Sequence, residues 1–190
     1  MLHFPRDEFD LRINRTRQAM AAAELDGLVL FRQESMFYLT GYDTSGYSMF
    51  QAMYLGLNKG PTLLTRSADR IQSRNTSIVE DIQIWIDQED ASPAIELRRI
   101  LKTHGCTNQR IGIEYHAYGL TGQRALMVNE ALEGLCRLVD ASDLVRLIRL
   151  VKSDLELEYV RKSGAICDTI LQTSINHTRP GNTVKSVYGA

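Results

Sequence analysis

The sequence lacks several features that would point directly to a function. Its three cysteines, Cys106, Cys136 and Cys167, form no Cys-x-x-Cys pair, which excludes a zinc knuckle and a thioredoxin motif and favours free thiols. No apolar run approaches the roughly 20 residues that span a bilayer. The net charge is −1 and both signs are interspersed, so the basic stripe typical of nucleic-acid binding is missing. We therefore expect neither a membrane nor a nucleic acid as partner.

The amino-terminal segment has no signal-peptide character. Residues 3–10 carry three acidic residues and one arginine, without the apolar core that a secretory signal requires. Hydrophobic residues make up 44% of the chain and charged residues 24%, which is typical of globular domains rather than of disordered or fibrous chains. The chain is long enough to bury a substantial core. The sequence predicts a cytoplasmic location.

The usual signatures of a catalytic or metal site are also missing. No nucleophile elbow, phosphate loop or glycine-rich dinucleotide fingerprint is present. None of the four histidines has a partner at the spacing of helical metal ligands: His3, His104, His116 and His177. The acidic clusters 80–81 and 87–90 lack the glycine and ligand spacing of a calcium loop. Glu114 follows an apolar strand, and we predict local capping or pairing for it. The sequence thus predicts no catalytic and no metal-binding residue.

Helical and strand patterns alternate along the first 150 residues. The predicted helices span 7–24, 34–40, 93–104, 121–133 and 143–147, with helix and loop over 67–78. The predicted strands span 27–31, 50–57, 62–65, 82–86, 110–115 and 137–140. Because the turn at 58–61 joins two strands into a hairpin, the sheet is expected to be mixed. The sequence predicts an α/β fold with five or six strands and helices on both faces.

Two segments carry specific expectations of burial. Ile82, Ile84 and Ile86 alternate with Gln83, Trp85 and Asp87, which is the pattern of a half-buried strand. In the helix over 93–104, Ile95 is expected to point inward together with the leucines.

A long helix is predicted over residues 153–178. Ser153 and Glu156 have the spacing of a capping box, and Pro180-Gly181 ends the helix. Its apolar positions recur at spacings of three and four: Leu157, Val160, Gly164, Cys167, Leu171 and Ser174. Only nine residues follow Gly181, too few for another packed layer. We therefore expect one domain over 1–150 and the beginning of a second over 151–190.

Three motifs carry a family resemblance. They are the Arg-Leu-Val-Lys-Ser run at 149–153, the Tyr-Leu-Thr-Gly segment within 36–42, and Arg-Ile-Gly-Ile-Glu at 110–114. In order and spacing they resemble the creatinase, prolidase and aminopeptidase P family over nearly the whole chain. The resemblance implies a ribonuclease H-like N-terminal domain followed by the first helix of a truncated pita-bread catalytic domain.

The same resemblance implies what the longer parent protein does. Family enzymes are metal-dependent Xaa-Pro peptidases or related hydrolases with a dinuclear manganese, cobalt or zinc site. Two aspartates, a histidine and two glutamates hold the metals, and a bridging water is the nucleophile. Creatinase uses a metal-free variant centred on a histidine. These residues all lie in the C-terminal domain, so none is carried over. This chain alone is predicted to be inactive and to hold no cofactor.

One segment is dense in side chains that are common at interfaces. Its members are Tyr38, Tyr42, Tyr47, Met49, Phe50, Met53 and Tyr54. Ordinary aromatic packing at a strand edge is an equally good interpretation. The resemblance implies instead that this loop approaches the active site of a partner subunit in a homodimer, with Tyr42, Tyr47 and Met49 at the substrate rim. Creatinase has Phe-Gly-Arg where this chain has residues 47–49. The missing arginine makes creatine doubtful and favours a small peptide or another amide as substrate.

Two functional classes stay open. The first is a fragment of the metal-dependent hydrolase, supplying dimer contacts and a substrate rim; a creatinase-type or ectoine-hydrolase-type parent is a variant of it. The second is a stand-alone interaction module with the same fold and no catalysis. The helix over 153–178 favours the first, because a module is expected to end near residue 150.

Overall fold

The computed structural model describes residues 2–190, which form two compact units that divide between Leu150 and Val151. The strands of the first unit are β1 (Gly27–Leu30), β2 (Ala52–Gly56), β3 (Thr62–Arg66), β4 (Asp81–Trp85), β5 (Arg110–Ile113) and β6 (Arg137–Asp140). Its helices are α1 (Arg6–Ala22), α2 (Gln33–Thr40), α3 (Arg70–Thr76), α4 (Pro93–Thr103), α5 (Gly122–Leu132) and α6 (Leu144–Ile148).

The six strands form one mixed sheet in the order β4-β3-β2-β1-β5-β6. Strand β2 runs antiparallel to both of its neighbours, whereas β1–β5, β5–β6 and β3–β4 are parallel pairs. The predicted mixed sheet and the β2–β3 hairpin are confirmed. Five strands therefore end at one edge of the sheet, where β2 begins. We call this the carboxyl edge.

Hydrophobic side chains cover both faces of the sheet, as predicted. Successive residues of a strand point to opposite faces. In β1, Val29 joins the cluster beneath α4 and α5, while Leu28 and Leu30 join the cluster beneath α1, α2 and α6. This explains why the continuous apolar run at 27–31 forms a strand that is buried on both sides.

Strand β4 is half-buried, as predicted, but two isoleucines that were expected in buried positions are exposed. Trp85 is buried and donates its Nε1–H to the Phe50 carbonyl at 3.1 Å, because β4 contributes to the cores on both faces. Ile86 lies beyond the end of that strand and is 65% exposed. Ile95 is 53% exposed, since at about 100° per residue it projects to the side of α4 opposite Leu97.

The end of α2 is set by a glycine, as predicted from the sequence. Gly41 adopts a left-handed φ of 79° and donates its N–H to the Phe37 carbonyl at 2.7 Å. A Cβ atom at this position would lie 2.8 Å from the Thr76 carbonyl oxygen. Both the backbone conformation and the space therefore require glycine, and the chain turns here into the loop that precedes β2.

The second unit contains α7 (Asp154–His177) and α8 (Val184–Tyr188). Helix α7 is continuous through Gly164, as predicted, and its capping box is formed by Ser153 and Glu156. Cys167 is exposed rather than packed. Among residues 2–190, no helix combines the length and the apolar character that a membrane span needs.

Candidate functional site

Two loops meet at the carboxyl edge and form a cleft. The first loop, 41–51, joins α2 to β2, and the second, 114–121, joins β5 to α5. Tyr47 and Tyr118 at their tips stack edge to face, with ring centroids 6.1 Å apart and an interplanar angle of 78°. Together with Gln33 and Glu34 in the first turn of α2 they line a cleft of about 500 Å³. We call these four residues the tyrosine cleft.

The two loops are held in contact through their backbones. Arg124 donates from Nη1 to the Ser48 carbonyl at 2.7 Å and to the Gly119 carbonyl at 2.9 Å. Gly119 has room for no side chain, because a Cβ there would lie 2.9 Å from the Met49 carbonyl oxygen. The relative position of Tyr47 and Tyr118 is therefore determined by backbone packing as well as by their own stacking.

A buried polar network anchors the first loop to the end of β3. Asp69, which is 5% exposed, accepts hydrogen bonds from the Thr44 hydroxyl and from Arg66 Nε, both at 2.9 Å. The Thr44 hydroxyl in turn accepts the Gly46 N–H at 3.0 Å, and Gln51 Nε2 donates to the Gly46 carbonyl at 2.9 Å. Because each of these polar groups has a partner, the backbone just before Tyr47 is held in one conformation.

The structure corrects the predicted substrate rim at Tyr42. This side chain is fully buried, and its hydroxyl donates to Gln51 Oε1 at 2.6 Å and lies 3.2 Å from Thr65 Oγ1. Burial raises its pKa. Placing Tyr42 on an exposed rim was therefore wrong. Tyr47, by contrast, is 55% exposed, and Met49 is partly exposed.

The aromatic segment after the loop belongs to the core. Phe50, Met53 and Tyr54 are all buried within the first unit. These residues pack as ordinary core side chains, but in and beside an interior strand rather than at a strand edge, as the alternative interpretation had it. Strand β2 lies inside the sheet and is covered on both faces, and this is why its side chains leave the surface.

Glu114 joins the end of β5 to the start of α2. Its carboxylate is fully buried and accepts the N–H groups of Phe31 and Arg32 at 3.1 and 2.9 Å and the Ser35 hydroxyl at 2.6 Å. Glu114 caps the start of the helix that carries Gln33 and Glu34, but the prediction of local pairing was wrong, because its partners lie 79–83 residues away in the chain. Burial raises the pKa of Glu114 to about 7, against the lowering effect of the three hydrogen bonds.

This pKa predicts a pH dependence of stability. Because the pKa in the folded protein is raised from its ordinary value near 4.5 to about 7, the folded state binds the proton more tightly than the unfolded chain. The contribution of Glu114 to the free energy of unfolding is fully present when the pH is below its ordinary pKa of 4.5, and it is lost as the pH rises through 7. Between pH 5.5 and 7.5 we expect a loss of about 2 kcal/mol from this group. Urea unfolding of the native chain and of Glu114→Gln measures it; an equal slope in both proteins would contradict the prediction.

A second prediction tests the contact between the loops. Gly119→Ala should lower the free energy of unfolding by about 1–3 kcal/mol, because the new methyl group must displace the backbone of residues 47–49. Gly122→Ala is the matched control, since a Cβ at Gly122 meets no atom within 4 Å. Thermal unfolding of both variants measures the difference. Equal stability of the two would show that the loops are not in tight contact.

No metal site is evident in the part of the chain that the structure describes. Residues 2–190 contain no group of three or more histidine, cysteine, aspartate or glutamate side chains placed to hold an ion. His104 is the C-cap residue of α4, as predicted. Its Nε2 lies 2.9 Å from the Thr62 hydroxyl, which donates to Asp81 at 2.8 Å. This histidine therefore serves a local polar network.

Sequence reasoning did not predict three members of the tyrosine cleft. Tyr118 is 78% exposed, and Gln33 and Glu34 belong to the first turn of α2. One signal was available: Tyr118 precedes a glycine in the loop between a predicted strand and a predicted helix, where an exposed aromatic side chain is unusual. Its proximity to Tyr47, however, depends on the pairing of β1 with β5.

Comparison with known proteins gives a consistent result. The sequence matches the family model of the creatinase/prolidase N-terminal domain over residues 12–151. An uncharacterized hydrolase/peptidase of Sinorhizobium fredii is 27% identical over 188 residues, covering 95% of this chain and 48% of that protein. The ectoine hydrolase of Halomonas elongata is 28% identical, covering 95% of this chain and 47% of that enzyme. The chain thus spans about half the length of these curated relatives.

A solved structure shares the fold. The Xaa-Pro dipeptidase from Bacillus anthracis aligns with a TM-score of 0.74 at 21% identity, covering 94% of this chain and 46% of the dipeptidase. At this identity the likeness concerns the fold alone. The match of the family model over most of the chain goes further, and it shows that this chain belongs to the creatinase/prolidase N-terminal domain family.

Proposed function

We propose that this chain is the N-terminal, substrate-contacting part of a metal-dependent hydrolase that acts on Xaa-Pro peptides or on a related small amide. The observation that carries the proposal is the tyrosine cleft, which lies at the carboxyl edge of the sheet. All four of its residues fall within the range 12–151 that matches the family model. Clefts lined by aromatic side chains with a few polar groups are typical of ligand contacts. The carboxyl edge is where α/β proteins usually bind small molecules.

The cleft is built to contact a substrate rather than to transform it. Its four side chains include no nucleophile with an adjacent base, the pairing that covalent catalysis needs. Catalysis in our proposal belongs to the C-terminal half of the parent protein, which would hold the dinuclear manganese, cobalt or zinc site. The 190 residues of this chain alone are then inactive.

Tyr47 and Met49 would form the substrate rim that faces the active site of a second subunit in a homodimer. Their loop suits this role because it is exposed at its tip and anchored at its base by Asp69 and Arg124. An anchored loop places its side chains without a large entropic cost on binding. A cytoplasmic location of the parent is part of this proposal.

Activity measurements test the proposal directly. The purified chain, supplied with Mn²⁺ or Co²⁺, should release no proline from Xaa-Pro dipeptides above background. The product of the gene extended beyond codon 190 should hydrolyse Xaa-Pro peptides or small amides and lose this activity with a chelator. Chelator-sensitive turnover by the short chain that survives repurification would refute the division of roles. A gene that stops at codon 190 would favour the interaction module.

A substitution tests the rim. In the extended protein, Tyr47→Ala should lower kcat/KM about 10-fold through KM, since one aromatic contact contributes about 1–1.5 kcal/mol. The dimer should persist in sedimentation. Ile71→Ala, which removes a 74% exposed side chain from α3, is the control and should leave kcat/KM unchanged. If Tyr47→Ala instead weakened the dimer in sedimentation, while the fraction that stayed dimeric kept its kcat/KM, Tyr47 would belong to the subunit contact.

A further inference from the structure

We propose that the tyrosine cleft binds a small organic cation, meaning an ammonium, amidinium or guanidinium group of the substrate. This inference rests on the proposed function and adds the chemical class of the group that the cleft recognises. Three features of its lining, a carboxylate, two ring systems and a free acceptor oxygen, are complementary to a positively charged N–H donor.

The first feature is the carboxylate of Glu34. This side chain is exposed in the first turn of α2 and forms no ion pair among the residues that the structure describes. Two arginines on neighbouring elements are engaged elsewhere: Arg32 donates to the His116 carbonyl, and Arg124 donates to the Ser48 and Gly119 carbonyls. The negative charge of Glu34 is therefore available to a ligand.

The second feature is the pair of exposed tyrosine rings. Tyr47 and Tyr118 are 55% and 78% exposed and stand edge to face across the cleft. The face of an aromatic ring carries negative electrostatic potential and attracts cations, with guanidinium and ammonium groups as its usual partners. The edges of the rings carry positive potential, so a cation would contact the exposed outer ring faces, and Glu34 supplies the formal charge.

The third feature is the amide of Gln33. Its Nε2 donates to the Tyr42 carbonyl at 2.7 Å, while its Oε1 is buried and has no hydrogen-bond partner in the described chain. Buried acceptors without partners are uncommon because they cost free energy. If the Gln33 amide turned toward the cleft, a bound N–H group would satisfy this oxygen. A carboxylate or phosphate would bring only further acceptors.

The lining of the tyrosine cleft as a whole disfavours an anionic ligand. None of the described residues that line the cleft carries a positive charge, so an anion would meet the carboxylate of Glu34 without compensation. The volume of about 500 Å³ is within the range of small-molecule sites. Charge, ring geometry and the free acceptor thus favour one class of ligand.

An NMR titration of the full 190-residue chain tests this inference with a matched pair of probes. Benzamidine, a cation at pH 7, and benzamide, its neutral analogue, have nearly the same size and shape. We expect benzamidine to shift the backbone amide signals of Glu34, Tyr47 and Tyr118 and to bind at least about 10-fold more tightly than benzamide, a difference of about 1.4 kcal/mol. Equal affinities, or shifts confined to other parts of the chain, would overturn the inference.

Variants separate the contributions of charge and ring. Glu34→Gln should weaken benzamidine binding about 5- to 10-fold and leave benzamide binding unchanged, whereas Glu158→Gln, which removes an exposed carboxylate from α7, should change neither. Tyr118→Phe should retain binding, and Tyr118→Leu should lose it because the ring is gone. A Glu34→Gln variant that binds benzamidine like the native chain would overturn the inference.

Failure of the cation inference and failure of the proposed function give different results in these two experiments. If benzamidine has no advantage while Tyr47→Ala still raises KM in the extended protein, the cation inference fails and the substrate rim stands. If benzamidine binds selectively at the cleft while Tyr47→Ala leaves KM unchanged, the cation site is supported and the rim proposal fails.

Discussion

Glu114→Ala is expected to lower the free energy of unfolding by about 3–5 kcal/mol. The substitution leaves the N–H groups of Phe31 and Arg32 and the hydroxyl of Ser35 without their acceptor. Each buried polar group that loses its partner costs about 1–3 kcal/mol, and the cavity adds to this. The start of α2 loses its cap at the same time.

Urea unfolding of Glu114→Ala, Glu114→Gln and Glu89→Ala measures this effect. Glu114→Gln preserves the side-chain volume and one acceptor oxygen, so its loss should be smaller than that of alanine. Glu89 is exposed, and its replacement should change stability by no more than about 0.5 kcal/mol. A loss for Glu114→Ala as small as that of Glu89→Ala would mean that the carboxylate does not hold β5 to α2.

Tyr42→Ala and Tyr47→Ala should differ strongly in stability although both residues lie in the same loop. Tyr42 is fully buried with a hydrogen-bonded hydroxyl, whereas Tyr47 is 55% exposed. Removing a buried aromatic ring costs about 3–5 kcal/mol, so Tyr42→Ala should unfold at much lower denaturant concentration. Tyr47→Ala should lose less than about 1 kcal/mol, mainly from the ring contact with Tyr118.

The fluorescence of Trp85, the only tryptophan, follows both unfolding reactions. Its ring is buried against Phe50 at the end of the same loop, with centroids 6.5 Å apart. Tyr42→Phe is the conservative control and should lose only the hydroxyl contacts with Gln51 and Thr65, about 1–2 kcal/mol. Equal destabilisation by Tyr42→Ala and Tyr47→Ala would contradict the assignment of Tyr42 to the core.

Hydrophobic periodicity predicted the helices and strands of this fold because the spacing of apolar residues in an element reflects which of its faces is buried. The apolar run at 27–31 predicted a strand buried on both sides, and Gly41 predicted the end of α2. The turn at 58–61 predicted a hairpin and therefore a mixed sheet. Ser153 and Glu156 predicted the capping box of α7. All of these signals act over a few residues, which is the range over which backbone hydrogen bonds and side-chain alternation operate.

The sequence was less informative about which side chains reach the surface. Tyr42 and Tyr47 look equivalent in a loop rich in aromatic residues, yet one fills the core and the other forms the cleft. Alternation in β4 predicted one buried face, whereas the neighbouring helices cover both. Burial depends on what packs against a residue from elsewhere in the chain, and a local pattern carries no information on that.

The sequence alone determined the class of fold, the order of its elements and the family resemblance. Only the tertiary structure decided that a candidate site exists. It brings Tyr118 to Tyr47 because β5 pairs with β1, it presses Gly119 against the backbone of Met49, and it leaves the carboxylate of Glu34 open beside both rings. A site of this kind is made by residues far apart in the chain, so its geometry is set by long-range packing and not by any local pattern.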